Sequence, residues 1–327
     1  MRHARIKLDG EGFYHVMSRI VRHEFWIDDE EKKLLLESIR RAAAFCGVEI
    51  YSYALMDNHF HLLVRVPMKR EVDDDEMRCR MIALYGQERT DAQFALWTAW
   101  TRSGRGTQAA MEKSRIKARM HDLSQFCKTF KERYTQAYNR RHDNVGAGTI
   151  WGNRFQSVLL EGSDGALMTV AAYIHTNPLR AGIAASAEQS PWTGFGAACR
   201  GDSTARAGLV ALATRLFGKA SWKDARKACL NAIEGRIGCR AHAAPPPLHA
   251  KSSSFPPSSS PNDSSPVKVL LQKRCLSFSR GGALGDPEFL EQLTPFLPPR
   301  THQWRNPKPD GFLALGLSSP LGVRETA

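Results

Sequence analysis

Leu55-Met56-Asp57-Asn58-His59-Phe60-His61-Leu62-Leu63-Val64-Arg65-Val66 is the stretch whose reading decides the fold of this chain. Apolar and β-branched residues run through it and Pro67 ends it, so it reads as a β-strand entered from the turn-prone Asp57-Asn58 pair. Side chains alternate along a strand, which puts His59 and His61 on one face, roughly 6.6 Å apart. Phe60, Leu62 and Val64 then face a core. Two imidazoles so placed can grip one metal ion, but a catalytic metal takes a third protein ligand and an open position. Alternating histidines on a half-exposed strand are more often surface or hydrogen-bonded residues, so a metal reading depends on the rest of the chain.

On the N-terminal side, Phe13 to Ile20 alternates as a first strand entered through Gly10 and Gly12. Asp28-Asp29-Glu30-Glu31 is an acidic helix start; Leu35, Ile39, Ala42, Ala43 and Cys46 continue at helical spacing to a stop at Gly47. Val48 to Met56 reads as a second strand, giving β-α-β-β. Beyond Pro67 the rhythm breaks. Residues 69–119 read as a helical insertion, interrupted at Gly104-Arg105-Gly106 and ending in a basic run from Lys113 to Arg119.

His121 to Arg141 shows the clearest helical period, with Leu123, Phe126, Cys127, Phe130, Tyr134 and Ala137 on one stripe. Lys128, Lys131, Arg133, Arg140 and Arg141 fall on its other face, where phosphate contact and plain solvation compete as readings. The glycine-rich loop from Gly146 to Gly152 delivers Arg154 to Glu161, expected as a strand beside the histidine strand. Ser163-Asp164 opens a helix through Tyr173 that Pro178 stops.

Small helices are expected from Trp192 to Gly238, with Leu209 to Phe217 and Trp222 to Ile237 as candidates. From Ala241 the chain turns rich in Pro and Ser, and residues 241–327 are expected to be largely disordered, with one short helix between Gly285 and Leu297. The domain reading is therefore 1–185, a helical extension 186–240, and a tail whose removal is expected to leave folding and activity largely unaltered.

The 327 residues, 42% hydrophobic, suffice for one substantial core, and a net charge of +13 suits nucleic acid or an anionic membrane surface. Seven scattered cysteines without a Cys-x-x-Cys pair argue against a disulfide framework and a zinc ribbon, and suit a reducing cytoplasm. No apolar run approaches the roughly 20 residues of a membrane span.

Tyr173 and Asn177 are four residues apart and so share a helix face, with Cβ atoms about 5–6 Å apart. Tyr173 alone is more often a core or rim aromatic. Brought over two histidines, a phenol and an amide oxygen make a phosphate-transfer centre: Asn177 completes a three-ligand set with His59 and His61, and Tyr173 attacks a phosphodiester.

Asn58-His59-Phe60-His61-Leu62-Leu63-Val64, followed by Tyr173-Ile174-His175-Thr176-Asn177-Pro178-Leu179-Arg180-Ala181-Gly182-Ile183, resembles the single-tyrosine HUH transposases of bacteria. Within them it is most similar to the REP-associated tyrosine transposases and their insertion-sequence relatives. Phe13-Tyr14-His15-Val16, Tyr138-Asn139-Arg140-Arg141-His142 and Trp151-Gly152-Asn153-Arg154-Phe155 fit the same family, in its order, over roughly Ile6 to Ile183.

The resemblance implies an α+β, ferredoxin-like or RRM-like domain with a central antiparallel sheet and helices on one face. It implies that His59, His61 and Asn177 hold Mg²⁺ or Mn²⁺. It further implies that Tyr173 cleaves and rejoins single-stranded, hairpin-associated DNA through a 5′-phosphotyrosine, without ATP. By intrinsic affinity two imidazoles and an amide would take Zn²⁺ or Ni²⁺ more tightly. Lys128, Lys131, Arg140, Arg141 and Arg154 are the candidate DNA contacts. His175, two positions from Tyr173, points to another side of the helix and reads as structural.

The chain departs from the family in its long insertion, its tail, and the weakness of an amide as a ligand. A phenol ionises near 10, and the sequence offers no base for it. A non-catalytic, domesticated nucleic-acid-binding regulator is the alternative, although no RNP-type aromatic octapeptide is present. A small-molecule metalloenzyme leaves both the charge and Tyr173 without a task. The expected location is cytoplasmic, at the nucleoid, with no membrane partner; a homodimer and a monomer both fit.

Overall fold

Strand β1, Gly12–Arg19, lies inside the sheet and decides what reaches the site. The structure is a computed structural model that describes residues 6, 8, 10–24, 26–144, 146–238, 281–293 and 313–316. The strands β2 (Glu49–Leu55), β3 (His59–Val66), β4 (Gln156–Leu160), β5 (Gly281–Gly285) and β6 (Leu313–Gly316) complete a sheet of order β2-β3-β1-β4-β5-β6. Its first four strands are antiparallel, while β5 runs parallel to β4, so the full sheet is mixed.

The β1–β3 register sets Val16 opposite Leu62 and Met17 opposite His61. Strand alternation then divides the apolar residues between two cores. Tyr14, Val16, Phe60, Leu62 and Val64 face one; Phe13, Leu63, Val158 and Leu160 face the other.

The first core is roofed by α1, Asp29–Cys46, and α5, Leu123–Arg141. Asp28 caps α1 by accepting from the Glu31 amide at 2.8 Å, and Gly47 ends it with φ of 66°, a conformation that favours glycine. Asp122 caps α5 through the Gln125 amide at 2.7 Å, and Leu123, Phe126, Cys127, Phe130 and Tyr134 are buried as their spacing predicts. Between them the insertion forms α2 (Asp74–Tyr85), α3 (Gln87–Arg102) and α4 (Gly106–Lys117), with the break at Gly104, whose φ is 79°. Trp97 pins α3 to α4 by donating its indole N–H to Glu112 at 3.0 Å.

Helices also cover the second face, where the sequence reading expected them on one. Helix α6, Asp164–His175, buries Leu167, Val170, Ala171 and Ile174 at i, i+3, i+4 and i+7 against Phe13, Leu63, Val158 and Leu160. Each large apolar side chain so buried contributes about 2 kcal/mol. It is followed by α7 (Asn177–Arg180), α8 (Gly194–Cys199), α9 (Ser203–Phe217) and α10 (Trp222–Gly238). The stretch beyond 185 is therefore no appendage: a Cβ on Gly208 of α9 would come within 2.4 Å of the Ile50 carbonyl oxygen of β2, and Leu212 joins the second core.

Two further expectations are corrected. β4 pairs with β1, not with the histidine strand, because β2 and β1 already occupy both edges of β3. Part of the tail belongs to the sheet: β5 covers the outer edge of β4, its Leu284 carbonyl accepting from the Glu161 amide at 2.8 Å, with Ala283 and Leu284 buried. Helix α11, Pro287–Gln292, is the short helix expected there, and Leu290 is buried. The Pro- and Ser-rich segments of 241–261 lie outside the described residues. Among the described residues no helix is long and apolar enough to cross a membrane, and the cysteines are free.

Candidate active site

His59 and His61 lie on the face of β3 that α6 covers, their rings 5.0 Å apart and nearly perpendicular. His59 is half-buried at the strand entrance; its Nδ1 lies 2.6 Å from Asn58 Oδ1. A carbonyl oxygen can only accept, so His59 donates from Nδ1 in this contact.

His61 is buried and its Nδ1 lies 3.0 Å from Nε2 of His15 on β1. Burial, reinforced by the neighbouring His15 and His59, holds its pKa well below the usual imidazole range. It is therefore neutral, the form that ligates metals.

Helix α6 brings Tyr173 onto this pair. Its ring meets His61 edge-on at 5.5 Å and His15 at 5.7 Å, while the Arg180 guanidinium stands 5.7 Å from the ring centroid. Asn177 does not share a helix with Tyr173: α6 ends at His175, and Asn177 begins α7. Pro178 has no amide hydrogen to continue α6, hence the break. The one-turn relation survives it, since Asn177 Nδ2 donates to the Tyr173 carbonyl oxygen at 3.0 Å, which turns the amide oxygen away from that contact.

His175 is fully buried on the opposite side of α6, with Nε2 2.5 Å from Ser52 Oγ and the ring against Phe195. Burial pushes its pKa down to about 3. It is a core histidine.

Among the described residues no three His, Cys, Asp or Glu side chains are grouped to hold a metal. The donors nevertheless fit a divalent cation in kind: the imidazoles of His59 and His61 on one face, each with Nδ1 engaged by a neighbour, and an amide oxygen one turn from the tyrosine. A hard cation would be held only weakly by such a set.

The five basic candidates divide between two cavities on the α5 side. Lys128, Lys131 and Arg154 line one of about 490 Å³ with Trp151 and Phe155. Lys131 is buried there, donating to Ser18 Oγ at 2.7 Å beneath the Trp151 ring, so it is not on a solvated helix face. Arg140 and Arg141 line another of about 370 Å³. Arg141 is engaged with buried Glu31, which also accepts from Tyr134 at 2.7 Å.

Three site residues escaped the sequence reading: His15, Asn58 and Arg180. His15 shares the period of Phe13 and Met17, a polar residue in an apolar strand row; Arg180 lies seven residues after Tyr173, two helical turns on.

Residues 11–75 match the model of a family described as "Transposase IS200 like", a span holding β1, α1, β2 and the histidine strand. The chain is also similar to a solved structure described as the REP-associated tyrosine transposase bound to a REP hairpin. The two are 15% identical with a TM-score of 0.39, over 60% of this chain and 84% of that one. No curated protein sequence matches the chain.

Proposed function

We propose that the chain is a DNA strand transferase that uses Tyr173 as nucleophile on single-stranded, hairpin-associated DNA. The observation that carries this reading is the seating of Tyr173, from α6, edge-on against His61 and His15 with Arg180 beside its ring. The match of residues 11–75 to IS200-like transposases supports it from the other half of the site.

The Tyr173 oxygen attacks phosphorus, the bond from phosphorus to the 3′ oxygen breaks, and the phenolic proton ends on the released 3′-hydroxyl. The 5′ side stays on the enzyme as a phosphotyrosine. The same steps in reverse join a new 3′-hydroxyl, so the energy of the diester is kept and no ATP is needed. Arg180 packs its guanidinium over the Tyr173 ring, and Asn58 and His15 fix the ring orientations of His59 and His61.

His59 and His61 through Nε2, with the Asn177 amide oxygen, would hold Mg²⁺ or Mn²⁺. When bound, that ion supplies charge neutralisation at the phosphoryl oxygens. DNA at the nucleoid is the expected partner in the cell.

Tyr173→Phe should abolish covalent adduct formation on denaturing gels while changing the Kd for DNA less than about threefold, because the ring and its packing remain. Adduct formation by the variant would remove Tyr173 from the chemistry. A domesticated, non-catalytic DNA-binding regulator is the reading that gains if the wild type binds hairpin DNA and never forms an adduct.

A further inference from the structure

The outer sides of α1 and α5 meet on the far side of the sheet from Tyr173, and α3 of the insertion closes one end of the groove between them. The cavity of about 370 Å³ there is lined by Arg41 from α1, Arg89 from α3, and Arg133, Arg140 and Arg141 from α5. Glu37 is the only carboxylate lining it, and Arg41 already pairs with it at 2.8 Å. Arg141 is held by Glu31. Arg89 and Arg140 are exposed, with no carboxylate partner among the described residues.

Gathering guanidinium groups from three helices costs stability through like-charge repulsion. Arg133 feels it: burial lowers its pKa, and Arg41, Arg89 and Arg119 lower it further. A fork of N–H donors matches phosphoryl oxygens bidentately. The one aromatic ring in the lining, Tyr134, is fully buried and bonded to Glu31, so the cavity offers no platform on which a base could stack.

We propose that this arginine-lined cavity is a phosphate-binding site, distinct from the Tyr173 centre, that grips backbone phosphates of the nucleic acid away from the reacting diester. The proposal rests on the strand-transfer reading for its choice of DNA. The insertion thereby acquires a task, since Arg89 is its contribution to the site. The shared chemistry is the phosphoryl group, and a free oligophosphate is the other source that could supply it.

The test uses the full chain with Arg89→Ala and Arg140→Ala combined, and a second variant with both changed to Lys. Binding of a fluorescent hairpin oligonucleotide is followed from low to moderate salt, with inorganic tripolyphosphate in a parallel titration. The alanine pair should weaken hairpin binding at least about tenfold and flatten the slope of log K against log salt by about 1.8, at roughly 0.9 per lost phosphate contact. The lysine pair should regain the slope but only part of the affinity, because Lys is a point charge without the fork. Thermal melting of the alanine pair should match or exceed the wild type, as repelling charges are removed.

Unchanged hairpin affinity and slope in a folded alanine pair would overturn the proposal. So would loss of tripolyphosphate binding alone with DNA binding intact, which would assign the cavity to a small phosphate ligand. Absence of adduct in both proteins would count against the strand-transfer reading and leave the binding result standing.

Discussion

At the residue scale, Glu31 shows how a motif residue can be taken by structure. It is buried beneath α5 and accepts from Tyr134, His142 and, with both oxygens, from Arg141. Burial works to raise its pKa, but the bonds from Arg141, Tyr134 and His142 outweigh it and the net shift is downward. A carboxyl with a depressed folded pKa adds stability that is present above its unfolded value, about 4.3, and lost as pH falls through the folded value. Urea melts should therefore show wild-type stability falling below about pH 4.3 more steeply than in Glu31→Gln. At pH 7 that variant should be less stable by about 2 kcal/mol, the loss of charge-assisted bonds. Equal acid slopes in the two proteins would show that Glu31 does not carry this linkage.

The same scale separates what the sequence revealed about the site from what it hid. That His59 and His61 share a face was legible because strand alternation is a fixed period; the one-turn relation of Tyr173 and Asn177 was legible too, but not that a break places them in different helices. Cross-strand neighbours have no sequence spacing, so the His15–His61 contact emerges only from the β1–β3 register. The Arg141–Glu31 pair was equally hidden, because its partners lie 110 residues apart.

At the scale of elements, α1, α5 and α6 follow from their caps and apolar periods, and β1 to β3 from alternation. β5 was missed for a chemical reason: Gly281-Gly282-Ala283-Leu284-Gly285 lacks the β-branched and aromatic residues that mark strands. What makes it a strand is the unpaired edge of β4, a tertiary circumstance. Leu284→Ala should accordingly destabilise the protein by about 3 kcal/mol, as for a buried leucine in a core. Removal of residues 239–327 should lower the melting temperature, against the expectation drawn from composition. A truncated protein that melts with the wild type would show that β5 is dispensable for the fold.

At the scale of the whole molecule, the net charge is +13, and several of the described basic side chains gather in two cavities. Tyr173 and the histidines lie on the α6 face, while Lys128, Lys131 and Arg154 in one cavity and Arg89 and Arg140 in another occupy the α5 side. DNA that reaches both must pass round the sheet edge, and several phosphates are then neutralised at once. Hairpin affinity should fall at least about a hundredfold between about 50 and 200 mM salt, as several simultaneous phosphate contacts require. A nearly flat salt dependence would mean that the basic cavities do not meet the DNA.

The central claim is a covalent bond between Tyr173 and the 5′ side of a cleaved strand. It is tested most directly with single-stranded hairpin oligonucleotides labelled at either end, incubated with the protein and Mg²⁺ or Mn²⁺, and run on a denaturing protein gel. Label placed 3′ of the cut should migrate with the wild-type protein, label placed 5′ should not, and Tyr173→Phe should carry neither. Transfer of the 5′ label to the protein, or an adduct that persists in Tyr173→Phe, would contradict the account.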